Sequence, residues 1–325
     1  MNPLTPGAPR AVVAVLDDWE GRWAASPAVS ALRAVADVRI FSDRFLGVAD
    51  LSAAAGDARV LVLNRERTRV DSSLLAALPN LNAIVNTGSG LNHVNRAAVE
   101  ARGIALLSTG GTSRAVAEQT FALMLAAVKQ IPQLDRGVRY GRFALRPLVG
   151  DLYGKRLGLV GLGRIGLQVA RIARCFGMSV TAWSPHLRLS EAAELGLARA
   201  DSLLELAGAS DILSLHLRLT PETREIVSAQ VVAALPEGAI FVNTARAELV
   251  DAEALIARAE RGELSVALDV FEDEPDIDPR YRSLPGVLSP HVGWKSAGTW
   301  DEFITAGIAC IEEALTLPAP AVQAT

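Results

Sequence analysis

Short runs rich in Val, Ile and Leu alternate with Ala-rich segments of helical periodicity along almost the whole chain, and this alternation restricts the fold more than any other feature. A strand that is apolar throughout, rather than at every second residue, is buried on both faces. An open sheet achieves that when its strands run parallel and helices cover both sides. Strands are expected at residues 12–16, 38–41, 60–63, 83–86 and 104–106, with a helical segment between each and the next. A long apolar-periodic helix is expected over 113–130, and after it a loop-like stretch punctuated by Pro132, Gly137, Gly141, Pro147 and Gly150 reads as a domain junction. A second alternating series places strands at 156–160, 180–183, 212–215, 240–243, 266–269 and 287–288. A final helix over 297–315 is expected to pack back on the first domain, and the Pro/Ala tail after Leu317 to fray. With 325 residues, the chain is long enough for two domains of about 100 to 200 residues each.

Several function classes are disfavoured by composition. The formal net charge is −4 and no stretch gathers the Lys and Arg residues of a nucleic-acid footprint, so no nucleic-acid partner is expected. The apolar run 11–16 meets Asp17 and Asp18 at once and has no basic region before it, unlike an export signal. The longest apolar helical segment, 121–128, falls well short of the roughly 20 residues of a membrane span, so no membrane association is expected. Cys175 and Cys310 form no C-x-x-C pair and have no zinc-like spacing, which points to a cytoplasmic protein without a metal site.

The run Leu157-Gly158-Leu159-Val160-Gly161-Leu162-Gly163-Arg164-Ile165-Gly166 leads from an apolar strand into a helix. In that setting Gly161 permits a tight turn, Gly163 lets backbone approach a pyrophosphate, and Gly166 lets helix and strand pack closely. The helix N-terminus offers free N–H groups to the phosphates. The acidic residue that takes a ribose 2′-hydroxyl is absent, and Ser184 stands in its place with His186 and Arg188 just downstream. NAD and NADP therefore both remain open as cofactors.

Three later segments each begin at the C-terminal end of an expected strand, where open α/β sheets place their ligands. They are Val242-Asn243-Thr244-Ala245-Arg246-Ala247-Glu248, Ala267-Leu268-Asp269-Val270-Phe271-Glu272-Asp273-Glu274-Pro275 and Leu288-Ser289-Pro290-His291-Val292-Gly293. Together with the glycine loop they resemble the D-isomer-specific 2-hydroxyacid dehydrogenases, in the branch that includes phosphoglycerate dehydrogenase-like members. Thr87-Gly88-Ser89-Gly90-Leu91-Asn92 is similar to the family's substrate loop, and Ala115-Val116-Ala117-Glu118 to the start of its interdomain helix.

The resemblance implies an α/β protein of two Rossmann-like or flavodoxin-like domains, each a doubly wound parallel sheet. The cofactor domain, 108–291, would be inserted into the substrate-binding domain, 1–107 and 292–325. It implies that Arg246 binds the substrate's carboxylate and carbonyl, that His291 donates the proton and that Glu274 holds the imidazole. The chemistry needs such groups: hydride arriving at a 2-keto carbon leaves negative charge on oxygen, which a fixed guanidinium stabilises and an imidazolium neutralises. A carboxylate beside an imidazole favours the charged form of the ring. Asp269 resembles the residue that receives the nicotinamide carboxamide, and Arg164, Ile165, His216, Thr220, Thr244, Ala245 and Gly293 match cofactor-contact positions. Backbone N–H groups at Ser89 and Gly90 would take the other side of the substrate carboxylate. Further implied are a homodimer formed near residues 110–150 and a small 2-keto or 2-hydroxy acid as the partner.

Some positions depart from the family pattern. Ala247 stands where the residue after the arginine is usually Gly, and would carry strain if that position required positive φ. Arg218 replaces a usual Pro, and the turn Gly110-Gly111-Thr112-Ser113 is short. Arg65, in Asn64-Arg65-Glu66-Arg67 just after a strand, is a candidate contact to the anion, and Trp294 a candidate wall of the pocket; the alternatives are a solvated loop and interdomain packing. His93 and His186 are read as structural or exposed. A different class of function also fits the same residues, an NAD(H)-sensing scaffold or corepressor with little turnover.

Overall fold

The computed structural model describes residues 10–143 and 148–318; Pro147 of the expected junction and the tail beyond Pro318 lie outside the described residues. The chain divides into two compact units. One is formed by the stretches up to Thr112 and from Ser296 onward, the other by Ser113–Lys295.

In the first unit the strands β1 (Val12–Val15), β2 (Asp37–Ile40), β3 (Ala58–Asn64), β4 (Ala83–Thr87) and β5 (Ala105–Ser108) form one sheet in the order β2-β1-β3-β4-β5, every pair parallel. All four residues of β1 and all five of β4 are buried, including the polar Asn86 and Thr87 that end β4. One core joins Leu61, Leu63 and Ile84 of the strands to Leu51, Leu74, Leu75 and Val99 from the helices Val48–Ala55, Ser72–Ala77 and Arg96–Ala101. Helix Ala297–Thr316 lies against β3, β4 and β5 and buries Phe303, Ile304, Gly307 and Ile311. The approach is close: a Cβ on Gly307 would stand 2.8 Å from the Trp23 indole.

The second unit holds β6 (Arg156–Val160), β7 (Ser179–Trp183), β8 (Ala198–Arg199), β9 (Ile212–Leu215), β10 (Ala239–Asn243), β11 (Leu264–Leu268) and β12 (Gly286–Leu288), again all parallel. Their order is β12-β11-β10-β9-β6-β7-β8. Successive residues of a strand face opposite ways. Leu213, Leu215, Phe241, Val266 and Leu268 accordingly join a core with the helices Leu203–Gly208, Ala229–Ala234 and Ala252–Glu260. Leu157, Leu159, Ile212, Val242 and Ala267 join another with helices Arg114–Val128 and Arg164–Cys175.

In both sheets the winding direction reverses, between β1 and β3 in one and between β6 and β9 in the other. Loops leaving the carboxyl ends of such a pair diverge, which opens a crevice for a ligand.

The stretch expected to be a loop after residue 130 differs: helix Ile131–Arg139 occupies its first half. Pro132 sits in the first turn, where its missing N–H is not needed, so it starts this helix instead of preventing one. The break from the preceding helix comes at Gln130, whose φ is 51°. The two-residue edge strand β8 is too short to carry any periodicity and was not expected. Among the described residues no helix is long and apolar enough to cross a membrane.

Candidate active site

At the β6/β9 reversal, Gly161 turns the chain with φ 101°, and a Cβ there would stand 2.8 Å from the carbonyl carbon and oxygen of His216. Only glycine fits. A Cβ on Gly166 would come within 2.3 Å of the Gly161 oxygen, so the helix starts hard against the turn. Gly163 is different: a Cβ on it would meet nothing within 4 Å. It is the N-cap of helix Arg164–Cys175, and no side chain caps the first N–H groups there. An open space faced by uncapped amide donors suits a pyrophosphate, so the residues present fit a dinucleotide. Arg164 is exposed and Ile165 partly buried on the first turn.

Ser184 follows β7, and its carbonyl accepts the Leu187 N–H. Arg188 is engaged by Glu191: its Nε and Nη2 donate to Oε1 at 3.0 and 2.6 Å, and its backbone N–H donates to Oε2 at 3.0 Å. His186 is exposed. His216 follows β9, its N–H donating to Val160 O at 2.7 Å and its Nε2 lying 2.9 Å from Ser214 Oγ. Desolvation pushes this imidazole below its ordinary pKa. The Thr220 N–H donates to Thr223 Oγ1 at 2.8 Å.

β10 ends at buried Asn243, whose side chain shapes the next turn. Its Oδ1 accepts the Ala245 N–H at 2.9 Å and its Nδ2 donates to Arg246 O at 2.8 Å. The Thr244 hydroxyl lies 2.9 Å from that of Thr120, and Arg246 Nη1 donates to Ala245 O at 2.7 Å. Ala247 opens a short 3-10 turn, Ala247–Leu249, and is not among the residues with positive φ, so alanine sits there without the strain considered from sequence.

Asp269, after β11, is buried and binds the segment that carries the histidine. Its Oδ1 accepts the Ser289 hydroxyl at 2.5 Å and the Val292 N–H at 3.0 Å, while Oδ2 accepts the Gly293 N–H at 2.7 Å. Gln119 Nε2 donates to Ser289 Oγ at 3.0 Å. His291 has φ 52°, a left-handed backbone that histidine adopts more readily than branched residues do. Its Nδ1 lies 2.7 Å from Glu274 Oε2, and Glu274 Oε1 accepts the Phe271 N–H at 2.8 Å. Burial pushes the Glu274 carboxyl up, but the bonds from His291 and Phe271 together with the charge of Arg246 outweigh it and hold the group below its ordinary pKa. An ionised carboxylate only accepts, so Nδ1 carries the proton and Nε2 is the nitrogen directed elsewhere.

In the first unit the loop after β4 is clamped from beneath. Asn86 Nδ2 donates to both Gly88 O and Gly90 O at 2.9 Å, Ser108 Oγ donates to Gly88 O at 2.7 Å, and the Gly88 N–H donates to Thr109 Oγ1 at 2.9 Å. With those carbonyls turned inward, the N–H groups of the same two peptides, at Ser89 and Leu91, point the opposite way. Arg65, with φ 65°, donates its N–H to Thr87 Oγ1 and places its guanidinium 5.8 Å from the Phe303 ring centroid. His93 has both ring nitrogens buried without a hydrogen-bond partner, and burial pushes its imidazole down despite the opposing charge of Glu66.

Arg246, Glu274, His291, Asp269 and Gly293 therefore gather in the second unit, and Arg65, Ser89 and Gly90 in the first. Trp294, partly exposed, belongs to the second. Asn243, Ser289, Gln119 and Asn86 were not singled out from sequence; for Asn86, Asn243 and Ser289 a polar residue at the end or flank of an apolar strand was the available signal, and Gln119, within helix Arg114–Val128, carried none. Among the described residues no His, Cys, Asp and Glu side chains group as a metal site.

Residues 121–293 match the family of D-isomer specific 2-hydroxyacid dehydrogenases in its NAD-binding domain. The chain is 37% identical to a D-3-phosphoglycerate dehydrogenase of Methanocaldococcus jannaschii over 75% of its own length and 48% of that protein's. It is also 37% identical to a hydroxypyruvate reductase of Thermotoga maritima, over 73% of this chain and 78% of the relative. A phosphoglycerate oxidoreductase crystal structure from Vibrio cholerae superposes with TM-score 0.82 at 32% identity, covering 95% of this chain and 100% of the other. The chain spans about half the length of the D-3-phosphoglycerate dehydrogenase it matches in Methanocaldococcus jannaschii, 48%.

Proposed function

We propose, because the chain belongs to the D-isomer-specific 2-hydroxyacid dehydrogenase family, that it is an oxidoreductase moving a hydride between a nicotinamide cofactor and a 2-keto or D-2-hydroxy acid. The observation that carries this reading is the 2.7 Å contact between His291 Nδ1 and the Glu274 carboxylate, which lies within the field of Arg246. With Nδ1 held by Glu274, Nε2 is the nitrogen left for the substrate: it donates a proton from the imidazolium during reduction and accepts one during oxidation, while a guanidinium nearby stabilises charge developing on the carbonyl oxygen.

The cofactor, when bound, supplies the hydride to the keto carbon or takes it from the hydroxy carbon. Gly161, Gly163, Gly166 and the uncapped helix start at Arg164 and Ile165 would hold its pyrophosphate. His216, Thr220, Thr244, Ala245, Asp269 and Gly293 line the remaining contacts in this reading. Asp269 does so while fixing the His291 segment, whose amides occupy both its oxygens. Ser184 presents no carboxylate to a ribose 2′-hydroxyl, and Arg188 serves a 2′-phosphate only after leaving Glu191. Arg246 anchors the acid's carboxylate and carbonyl, Ser89, Gly90 and Arg65 take the carboxylate, and Trp294 borders the acid's side chain.

A homodimer and a cytoplasmic setting belong to the same reading. Ile131, Val138, Tyr140, Phe143, Leu148, Val149 and Tyr153 are exposed apolar side chains concentrated in one stretch, and such a concentration is the mark of an association surface. Cys175 and Cys310 are free thiols.

The test is oxidation of NADH and NADPH by the purified chain in the presence of glyoxylate, hydroxypyruvate, pyruvate, phenylpyruvate and branched keto acids. Stereospecific formation of a D-hydroxy acid is expected. Tight NADH binding with no turnover of any acid would overturn the enzymatic reading and favour an NAD(H)-sensing scaffold.

A further inference from the structure

Asp269 is buried just past β11, and among the described residues three donors reach its carboxylate, the Ser289 hydroxyl and the backbone amides of Val292 and Gly293. The two amides can only donate, so both carboxylate oxygens act as acceptors and the Ser289 hydroxyl gives its proton to Oδ1. The Ser289 oxygen then has only lone pairs to offer, so the Gln119 atom 3.0 Å away is the amide nitrogen. A directed chain of bonds thus runs from the Gln119 N–H through the Ser289 O–H to Asp269.

We infer that Ser289 and Gln119 are positioning residues for the cofactor's nicotinamide ring: they fix the Asp269 carboxylate so that one lone pair of Oδ2 is held ready for the N–H of the carboxamide. This deepens the function proposed above and rests on its assignment of Asp269 to the cofactor.

The number of acceptor sites supports it. A carboxylate has about four lone-pair sites on its two oxygens. Among the described residues Ser289 and Val292 fill those of Oδ1 and Gly293 takes one of Oδ2, so the remaining capacity lies on Oδ2. Gly293 also leaves that oxygen uncovered, since a Cβ there would stand 2.9 Å from Oδ2 and 3.6 Å from Gln119 Cβ and Cγ. Without the Ser289 hydroxyl the carboxylate can turn about χ2, a broad torsion in Asp, and Oδ1 gains a vacant site that competes for the same donor. Ser289 is itself held. Its Oγ lies 3.5 Å from Leu268 O as well as 2.5 Å from Asp269 Oδ1, and the Gln119 N–H strengthens the shorter bond, because each bond in a chain polarises the next. Gln119 belongs to helix Arg114–Val128, and a partner on a rigid element holds a site group more closely than one on a loop.

The experiment titrates NADH and NADPH, and the reduced acetylpyridine form of each, into the full chain and the variants Ser289→Ala, Ser289→Thr and Gln119→Leu by calorimetry. The acetyl group keeps the carbonyl of the carboxamide and removes its N–H, so a loss that acts through that N–H vanishes with the acetylpyridine form, whereas a general loosening of the pocket weakens both forms alike. Ser289→Ala should weaken binding of the natural cofactor about tenfold and of its acetylpyridine form less than about twofold, a difference of the size that one hydrogen bond to a charged group contributes. Gln119→Leu should show the same pattern at about threefold, because the bond it removes is neutral and one step further from the ring. Ser289→Thr restores the hydroxyl and should bind both forms as the wild type does. Equal losses with both forms in Ser289→Ala, or no loss with the natural cofactor, overturn the inference while leaving the oxidoreductase reading intact. A wild type that binds neither NADH nor NADPH overturns that reading, and the inference with it.

Discussion

The His291 ring meets the Glu274 carboxylate at 2.7 Å from a backbone held at φ 52°, so its direction is determined from both the main chain and the side chain. The Asp269 bonds to the amides of Val292 and Gly293 hold the next two residues as well. Replacing His291 by Ala should lower kcat by about 10²–10⁴-fold, the usual contribution of a positioned proton donor. NADH affinity, read by fluorescence titration, should be nearly intact. Glu274→Gln keeps a hydrogen-bonding partner but removes the charge, and should lower kcat more than it raises KM. A full-rate His291→Ala enzyme would remove the histidine from the mechanism.

Asn243 satisfies two backbone groups of the Arg246 turn from a buried position. Asn243→Ala leaves both without their partner, at roughly 1–3 kcal/mol for each buried group left unsatisfied. Urea unfolding should show the loss of stability, and KM for the acid should rise as the Arg246 turn loosens. A variant as stable as the wild type would mean that other groups take over both bonds.

Arg261 and Arg258 lower the Glu263 carboxyl from 4.5 to about 2. Because the folded state favours the ionised form, this group's contribution to stability is complete above about pH 4.5 and is lost as the pH falls toward 2. The wild type should therefore exceed Glu263→Gln in urea midpoint near neutral pH, with the difference shrinking steadily on acidification. A difference independent of pH would show that the ion pairs do not act through this titration.

Tyr140, Phe143 and Leu148 are 74%, 88% and 94% exposed. Light scattering after size exclusion should give a dimer for the wild type, and Tyr140→Glu with Phe143→Glu should give a monomer whose isolated units still melt cooperatively. Elution of the wild type as a monomer at micromolar concentration would end the dimer proposal.

In the proposed cofactor site, Ser184 and Arg188 are the residues expected to set the preference between NADH and NADPH. Glu191→Ala releases the Arg188 guanidinium from its two bonds and should move the kcat/KM ratio toward NADPH. Ser184→Asp supplies an acceptor for a ribose 2′-hydroxyl and should move it toward NADH. Ratios unchanged in both variants would place the discrimination elsewhere.

Much of the architecture was legible because burial on both faces leaves a strong mark. Val12–Val15 and Ile212–Leu215 are almost entirely apolar. The glycine turn was equally plain, and each glycine proves to have its own reason, backbone crowding at Gly161 and Gly166 and open space at Gly163. Helix Ile131–Arg139 was hidden because proline and glycine ordinarily mark loops, although proline in a first turn is compatible with a helix. Strand β8 was hidden by its length. Of the site, charged residues at strand ends stood out, while Asn86, Asn243 and Ser289 did not. Their roles depend on hydrogen bonds to backbone carbonyls, amides and a carboxylate that only tertiary structure brings near, and nothing in their local spacing reports it.

Helix Ala297–Thr316 belongs to the unit whose strands come first in the chain, and it covers β3, β4 and β5. During synthesis those strands leave the ribosome without that helix, and the whole of Ser113–Lys295 must be translated before it exists. Domains ordinarily fold as they emerge, N-terminal first. Here the first of the two sheets to be made is the last to be completed, so a nascent chain stopped near residue 295 should carry a native second unit beside an incomplete first one.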